Sequence, residues 1–560
     1  MTRLNPLSRF SLVSFAASFA VAPLFAQDRP ASDAIFGALR ISSLDELATS
    51  VGSFADRVEP GSGASTAQLT AGAAGFGFAT DQELLALVID PQKSSQPYAL
   101  VLPVADPEQF KANPAFDFQP VATSPDRYQI KLPNGQPMFA AFVGKRLVLS
   151  PLEAGLDAVL PAIRAGEDVR QLRAAGGQVA LSLSADRLYT AYKPMVDLML
   201  MGMRGQFEKT ASKNPQAPNP ADIFGSMLGS LAEVQEYAVS ITIAADHLDL
   251  RSVIAAKPGT DTAALFSAGR GAAVGIPASF DASSSVFGTV SARPGPEFWA
   301  AYERVSNRLL TSFGAFDAAS SKALTQTVND FAAIWDGTGS FAMFPPAEGM
   351  SGSGTFGITD REKTVALIRR LPDLQKSMAA VNASQGLATE ASLGGEEEHG
   401  SALLIDITQN YRALKPEMEE GLKLLQKAGM DKLTATYGVT SSRLLYAMGN
   451  KSHAEAKRLL DAPSAVSTEI TPAAYGLPAE TTAFAAVSLP RYFAWISRIG
   501  GLPFSVEADS AAQKPGLAFS TDLVDGRADI RVRLAASEID ALRSAFAKRS
   551  TATPADEPAK

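Results

Sequence analysis

Lys432-Leu433-Thr434-Ala435-Thr436-Tyr437, a short turn, and then Arg443-Leu444-Leu445-Tyr446-Ala447 decide the reading of the fold. Polar and apolar side chains alternate along the first run, the period of a half-buried strand, and two such runs across a turn make a β-hairpin. Upstream, Ala402-Leu403-Leu404-Ile405-Asp406 reads as another strand, and Tyr411 to Ala428 has the spacing of an apolar-faced helix. Downstream, His453 to Leu460 reads as a closing helix. The unit so defined is strand–helix–hairpin–helix.

Working outward, the same unit recurs. Val179 to Leu183, Val286 to Val290 and Ala483 to Val487 are strands of the first kind, with aromatics near the following helix start at Tyr189, Phe298-Trp299 and Tyr492-Phe493. Hairpin strands recur at Tyr237 to Ile243 with Leu248 to Ala255, and at Leu517 to Leu523 with Ala528 to Leu534. In the latter pair Asp525-Gly526 supplies the turn. Closing helices are expected at Asp261 to Ser267, Asp360 to Leu371 and Ala536 to Phe546, with caps at Thr260, Thr359 and Ser452. A further copy comes first: strand Tyr98 to Val104, short helix Pro107 to Ala112, three strands ending in Arg146 to Ser150, and helix Pro151 to Ile163.

The expected class is α+β: repeated strand–helix–hairpin–helix modules forming antiparallel or mixed sheets, with helices packed on one face. The expected division is a leader over 1–26, a first module over 27–170, a second over 171–275, a third over 276–380, a fourth and fifth over 381–547, and a disordered tail over 548–560. Asn214 to Ala221, Ala383 to Gly400, Ala462 to Pro478 and Ala508 to Pro515 read as linkers, being rich in Pro, Ser, Thr or charge.

Met1 to Ala26 reads as a cleavable export signal. Arg3 and Arg9 precede a short apolar run, and Phe25-Ala26-Gln27 offers a small residue at the cut. No later stretch has the length and apolarity of a transmembrane helix. The expected location is therefore the periplasm or envelope of a bacterium. With no cysteine in the sequence, disulfides, thiol catalysis and thiolate metal ligation are excluded. Fifty basic against 58 acidic residues give a net charge of -8, a sign that repels phosphate backbones and argues against nucleic acid.

The sequence carries little that points to a reaction. Its histidines are His247, in a hairpin turn, His399, at the end of the acidic run Glu396-Glu397-Glu398, and His453, in the first turn of a helix. None has a partner at metal-ligand spacing except the glutamates beside His399, which read as a solvated loop. Gly352-Ser353-Gly354-Thr355-Phe356-Gly357 matches G-x-G-x-x-G, but it does not join a parallel strand to a helix N-terminus and reads as a hairpin strand with its turn. The Gly-x-Ser-x-Gly of a hydrolase elbow is missing. Asp186, Asp246, Asp406 and Asp525 near strand ends read as turn and capping residues. No cofactor and no metal are expected.

One helix stands apart. Met195, Met199 and Met203, with Met201, make it methionine-rich, and methionine suits adaptable apolar surfaces. Its functional reading is an apolar ligand surface for a lipid, a hydrophobic peptide or a partner helix. The plainer reading is a core helix filling irregular space. Trp299, Trp335 and Trp495 read as core residues on helical faces.

Val101-Leu102-Pro103-Val104-Ala105-Asp106-Pro107-Glu108-Gln109-Phe110, followed by the strand Gly144 to Ser150 and another helix, resembles a loosely defined family of exported bacterial proteins. Those proteins carry a domain of unknown function, and the likeness implies no activity. The resulting expectation is a non-catalytic periplasmic or envelope protein that binds or scaffolds an unidentified protein or hydrophobic ligand. An exported hydrolase using carboxylates or Ser/Lys, and a carrier with a deep apolar cavity, are the alternatives.

Overall fold

The structure is a computed structural model. It describes residues 34–547, apart from 123, 133–134, 167–175, 212–219, 313–317, 346–350, 378–386, most of 415–430, 499–505 and 507–513. The expected leader, the C-terminal tail and most of the proline-rich linker lie outside the described residues. The chain forms two compact units. One holds the residues up to Val196 together with Gln235–Ala245, and the other holds Asp197–Val234 and everything from Asp246 onward.

The first unit contains β1 (Ile35–Ile41), α1 (Leu44–Val58), α2 (Ala64–Gly75), β2 (Leu84–Ile89), β3 (Tyr98–Pro103), α3 (Pro107–Lys111) and β4 (Asp117–Val121). It continues with β5 (Ser124–Lys131), β6 (Pro137–Val143), β7 (Arg146–Ser150), α4 (Glu153–Ala165), β8 (Val179–Ser184), the start of α5 (Ala185–Ala211), and β9 (Val234–Ile243). Every pairing is antiparallel, in the order β4-β5-β6-β7-β3-β2-β1-β8-β9. Local sequence explains the ends of several elements. Ser43 caps α1 by accepting from the Glu46 N–H. Asp106 caps α3, where Pro107 needs no N–H partner. Gly166 closes α4 at φ 69°.

The second unit contains the rest of α5, α6 (Pro220–Ala232), β10 (His247–Ala256), α7 (Asp261–Leu265), β11 (Val286–Ser291), α8 (Pro296–Ser312), α9 (Ala318–Ile334), β12 (Trp335–Met343), β13 (Gly352–Ile358) and α10 (Arg361–Ser377). It ends with β14 (Leu387–His399), β15 (Ala402–Ala413), β16 (Lys432–Val439), β17 (Arg443–Met448), α11 (Ser452–Asp461), β18 (Ala483–Val487), α12 (Leu489–Arg498), β19 (Leu517–Val524), β20 (Arg527–Ala535) and α13 (Ala536–Ala547). The strands again pair antiparallel, in the order β10-β20-β19-β18-β11-β12-β13-β17-β16-β15-β14.

The α+β class holds, with antiparallel sheets. The expectation of helices on one face does not hold. Along β15, Ile405 and Ile407 pack with Val365 and Ile368 of α10, whereas Leu404 packs with Ala456 and Leu459 of α11. Consecutive strand residues point to opposite faces, so α10 and α11 cover opposite sides. The first unit repeats the pattern at β3. There Ala99 and Val101 pack with Leu156 and Val159 of α4, while Leu100 and Leu102 join Phe110 of α3 and the Phe116 and Phe118 rings. A strand apolar on both faces can be covered on both.

Other expectations are corrected. Ala383 to Gly400 is not a linker where it is described, because β14 occupies most of it. Tyr411 lies in β15 rather than at a helix start, and residues 419, 422, 423 and 426 beyond it are helical. Trp335 opens β12 instead of riding a helix. Thr260 does cap α7, through the Ala263 N–H. Thr359 does not cap α10: its hydroxyl bonds Ile334 O, and Asp360 accepts from the Lys363 N–H instead. Ser452 is likewise not a cap but a buried residue inside α11.

Candidate functional site

Helix α5 follows β8 directly, and its 27 residues extend about 40 Å at 1.5 Å per residue. The residues singled out by sequence lie in its central part. At 100° per residue, Met195 and Met199 lie between Leu198 and Met201 on one side and Met203 on the other, and Val196, Phe207 and Leu200 follow Met203 around the helix. Val196, Leu200 and Phe207 are half-buried. Met195 is 46% exposed, Met199 50%, Met201 68% and Leu198 69%. Met203, at the flank, is half-buried. The plain reading of these methionines as core is therefore overturned at Met195, Met199 and Met201, which face outward.

In the second unit α6 also displays apolar side chains. Phe224 and Leu231, one heptad apart, are also exposed. Leu200 of α5 approaches Gly225 of α6, where a built Cβ would lie 3.9 Å from Leu200 Cδ1. Leu198, Met199, Met201, Phe224 and Leu231 are thus exposed large apolar side chains on two helices of one unit. Scattered apolar residues are ordinary on a surface, whereas clustered ones mark contact sites. Tryptophans do not contribute. Trp495 is buried, and Trp299 and Trp335 pack with Phe331 in an aromatic cluster.

The polar residues singled out by sequence form structural pairs. His247 Nδ1 lies 2.8 Å from Asp246, and His399 Nε2 lies 2.8 Å from Asp461. His453 is held between two carboxylates. Its Nδ1 is 3.1 Å from both oxygens of Asp406 and its Nε2 is 3.0 Å from Glu397. The Asp406 and Glu397 carboxylates raise the imidazole's pKa above its ordinary range. With both nitrogens facing carboxylates, the ring is not presented to a hydroxyl as a base. Asp406 is no turn residue: it lies within β15 and also accepts from the Thr436 hydroxyl at 2.7 Å. No group of three or more His, Asp or Glu placed to hold a metal occurs among the described residues.

The glycine motif at Gly352 to Gly357 lies in β13, between β12 and β17. A Cβ at Gly354 would meet the Tyr446 ring at 2.2 Å, and one at Gly357 would meet Asp336 at 2.0 Å. These glycines therefore make room for neighbouring side chains across the sheet. A cleft of about 120 Å³ between α9 and α10 is lined by Thr327, Leu367, Arg370 and Asp373. It is smaller than the roughly 300–1,000 Å³ of a typical ligand pocket. No helix among the described residues is long and apolar enough to cross a membrane.

No protein family model matches the chain, and no curated protein matches it. Among solved structures it is similar to crystal form III of TP0453, at 8% identity over 42% of this chain and 82% of that one, with a TM-score of 0.21. Crystal form IV of TP0453 gives 7% identity, 41% and 81% coverage, and a TM-score of 0.20. Likenesses this slight carry no argument about fold or function.

Proposed function

We propose that this is a non-catalytic exported protein of the bacterial periplasm or envelope that acts by binding. Its contact surface is the apolar outer face of α5 and α6, and its ligand is an apolar molecule or the apolar segment of a partner protein. The observation that carries the reading is the outward display of Leu198, Met199 and Met201 from a long ordered helix. Unbranched thioethers adapt to differing apolar shapes, which suits a contact surface more than a catalytic one. The acidic balance of the chain supports the absence of nucleic acid from its partners. The scaffold is read as a duplicated strand–helix–hairpin–helix unit. The element orders β11-α8-α9-β12-β13-α10 and β18-α12-β19-β20-α13 support that reading.

The test is native mass spectrometry, with lipid extraction, on protein purified from its own periplasm. The expected result is a co-purifying lipid, peptide or protein that is lost from Leu198→Glu and Met199→Glu. Both variants should keep their stability within about 0.5 kcal/mol, as exposed substitutions do. A bound species retained in full by both variants sinks the proposed surface. A wild-type protein that carries nothing sinks the apolar-ligand reading.

A further inference from the structure

Strand β14 ends the second unit's sheet, and among the described residues its ladder partner is β15 alone. Its last residues are fastened from both faces. Glu396 receives a bidentate bond from Arg369 of α10, and Glu398 lies 3.8 Å from Arg361. Glu397 and His399 point the other way, to α11. Glu397 accepts from Lys457 Nζ at 2.7 Å and faces His453 Nε2, while His399 faces Asp461. Among the side chains that fasten β14, an imidazole is the kind whose ordinary titration lies near neutral pH.

The geometry at His453 is that of a doubly protonated ring. A neutral imidazole has one N–H and one lone pair. Placed here, it would donate to one carboxylate and turn its lone pair toward the other. Only imidazolium satisfies Asp406 and Glu397 together. We infer that His453 is a pH-operated clasp that fastens the outer strand β14 to α11, closed when the ring carries two protons and slackened when it carries one.

The charged and titratable groups facing the ring are Glu397 from β14, Asp406 from β15 and Lys457 from α11 itself. From β16, Thr436 donates its hydroxyl to Asp406, and Ser452 lies 3.0 Å from the Thr436 oxygen. The two carboxylates outweigh Lys457, so the ring's proton affinity is raised. The sign follows. A raised folded-state value makes the clasp fully closed below the ordinary imidazole range and opens it as pH rises through the raised value. The His453 side chain is 36% exposed, so salt weakens the effect. Release leaves β14 attached through Lys457, Arg369 and its ladder to β15. The strand loosens without leaving.

The experiment is hydrogen exchange at the backbone amides of Glu396 to His399, corrected for intrinsic rates, from about pH 5 to about pH 9. The His453 ring is titrated by NMR in parallel. The expected result is a several-fold loss of protection across the range, tracking the His453 ring, while the β19–β20 hairpin is unaffected. His453→Gln should show the low protection at every pH. His399→Gln should keep the wild-type dependence. Protection that does not change with pH overturns the clasp, as does a dependence that follows His399. Should His453→Gln not fold, a wild-type ring titrating at or below the ordinary imidazole value overturns it alone.

Discussion

Glu538 is a carboxyl group 3% exposed, and its surroundings show how one buried acid is made tolerable. It accepts from the backbone N–H groups of Leu489, at the start of α12, and of Gly516, the latter at 2.9 Å. Gly516 has no side chain because a Cβ there would sit 2.5 Å from Glu538 Cβ. Burial nonetheless dominates and raises the carboxyl's pKa, against the pull of the two N–H groups and Arg491. A raised folded value means that Glu538 contributes most below the unfolded carboxyl value, about 4.3, and loses that contribution as pH rises through the folded value. Glu538→Gln leaves one N–H facing an amide NH₂, a penalty of about 1–3 kcal/mol. Urea denaturation at acid and neutral pH should show the variant's penalty shrinking as pH rises. A penalty that grows with pH would mean that the ionised form is the favoured one. Tyr446 is a neutral counterpart: burial pushes its hydroxyl up to about 12, which keeps it uncharged inside the sheet.

The turn between β19 and β20 is the element whose chemistry sequence states most directly. Asp525 has φ 53° and Gly526 φ 74°, both left-handed, as an Asp-Gly hairpin turn requires. A Cβ at Gly526 would meet nothing nearer than 3.7 Å, so the constraint is conformational and not a matter of space. Gly526→Val is expected to cost about 1–2 kcal/mol and Asp525→Gly close to nothing, read as shifts of the denaturation midpoint. Equal costs at the two sites would show that the turn is not what sets them. Hairpins with alternating side chains, such as β16–β17, were legible in the same way. Strand β14 was not, because Glu396-Glu397-Glu398 has the composition of a loop. It stays in a strand because Arg369 holds one face of it and Lys457 and His453 the other. Tyr411 misled because β15 continues through Thr408-Gln409-Asn410, a polar stretch that reads as a break. The outward methionines show a limit of periodicity. The spacing of Met195, Met199 and Met203 gives a helical stripe, but an apolar stripe has the same spacing whether it faces a core or water.

At the scale of the whole molecule, the second unit closes its sheet with its last strands. Strand β20 lies between β10 and β19, and Arg533 clasps Asp249 across 284 positions of sequence. A chain stopped before Leu517 would leave β10 and β18 with open edges, a condition that promotes aggregation. Such a truncation is expected to be insoluble while the full chain is not. Soluble yield after matched expression measures this directly, and a soluble, protected fragment would refute it. The first unit differs. Its own strands have all been made by β9, and β8 reaches back to β1 while β9 reaches back to β8.

The position of β20 sets a clock on synthesis. At about 5–20 residues per second, roughly 15 to 60 seconds separate the emergence of β10 from that of the strand that covers it. For that interval the edge of β10 that β20 will cover is an open template on a growing chain. The cell must shield it or keep the chain extended, so the order in which these strands are delivered makes this protein a dependent of whatever escorts it.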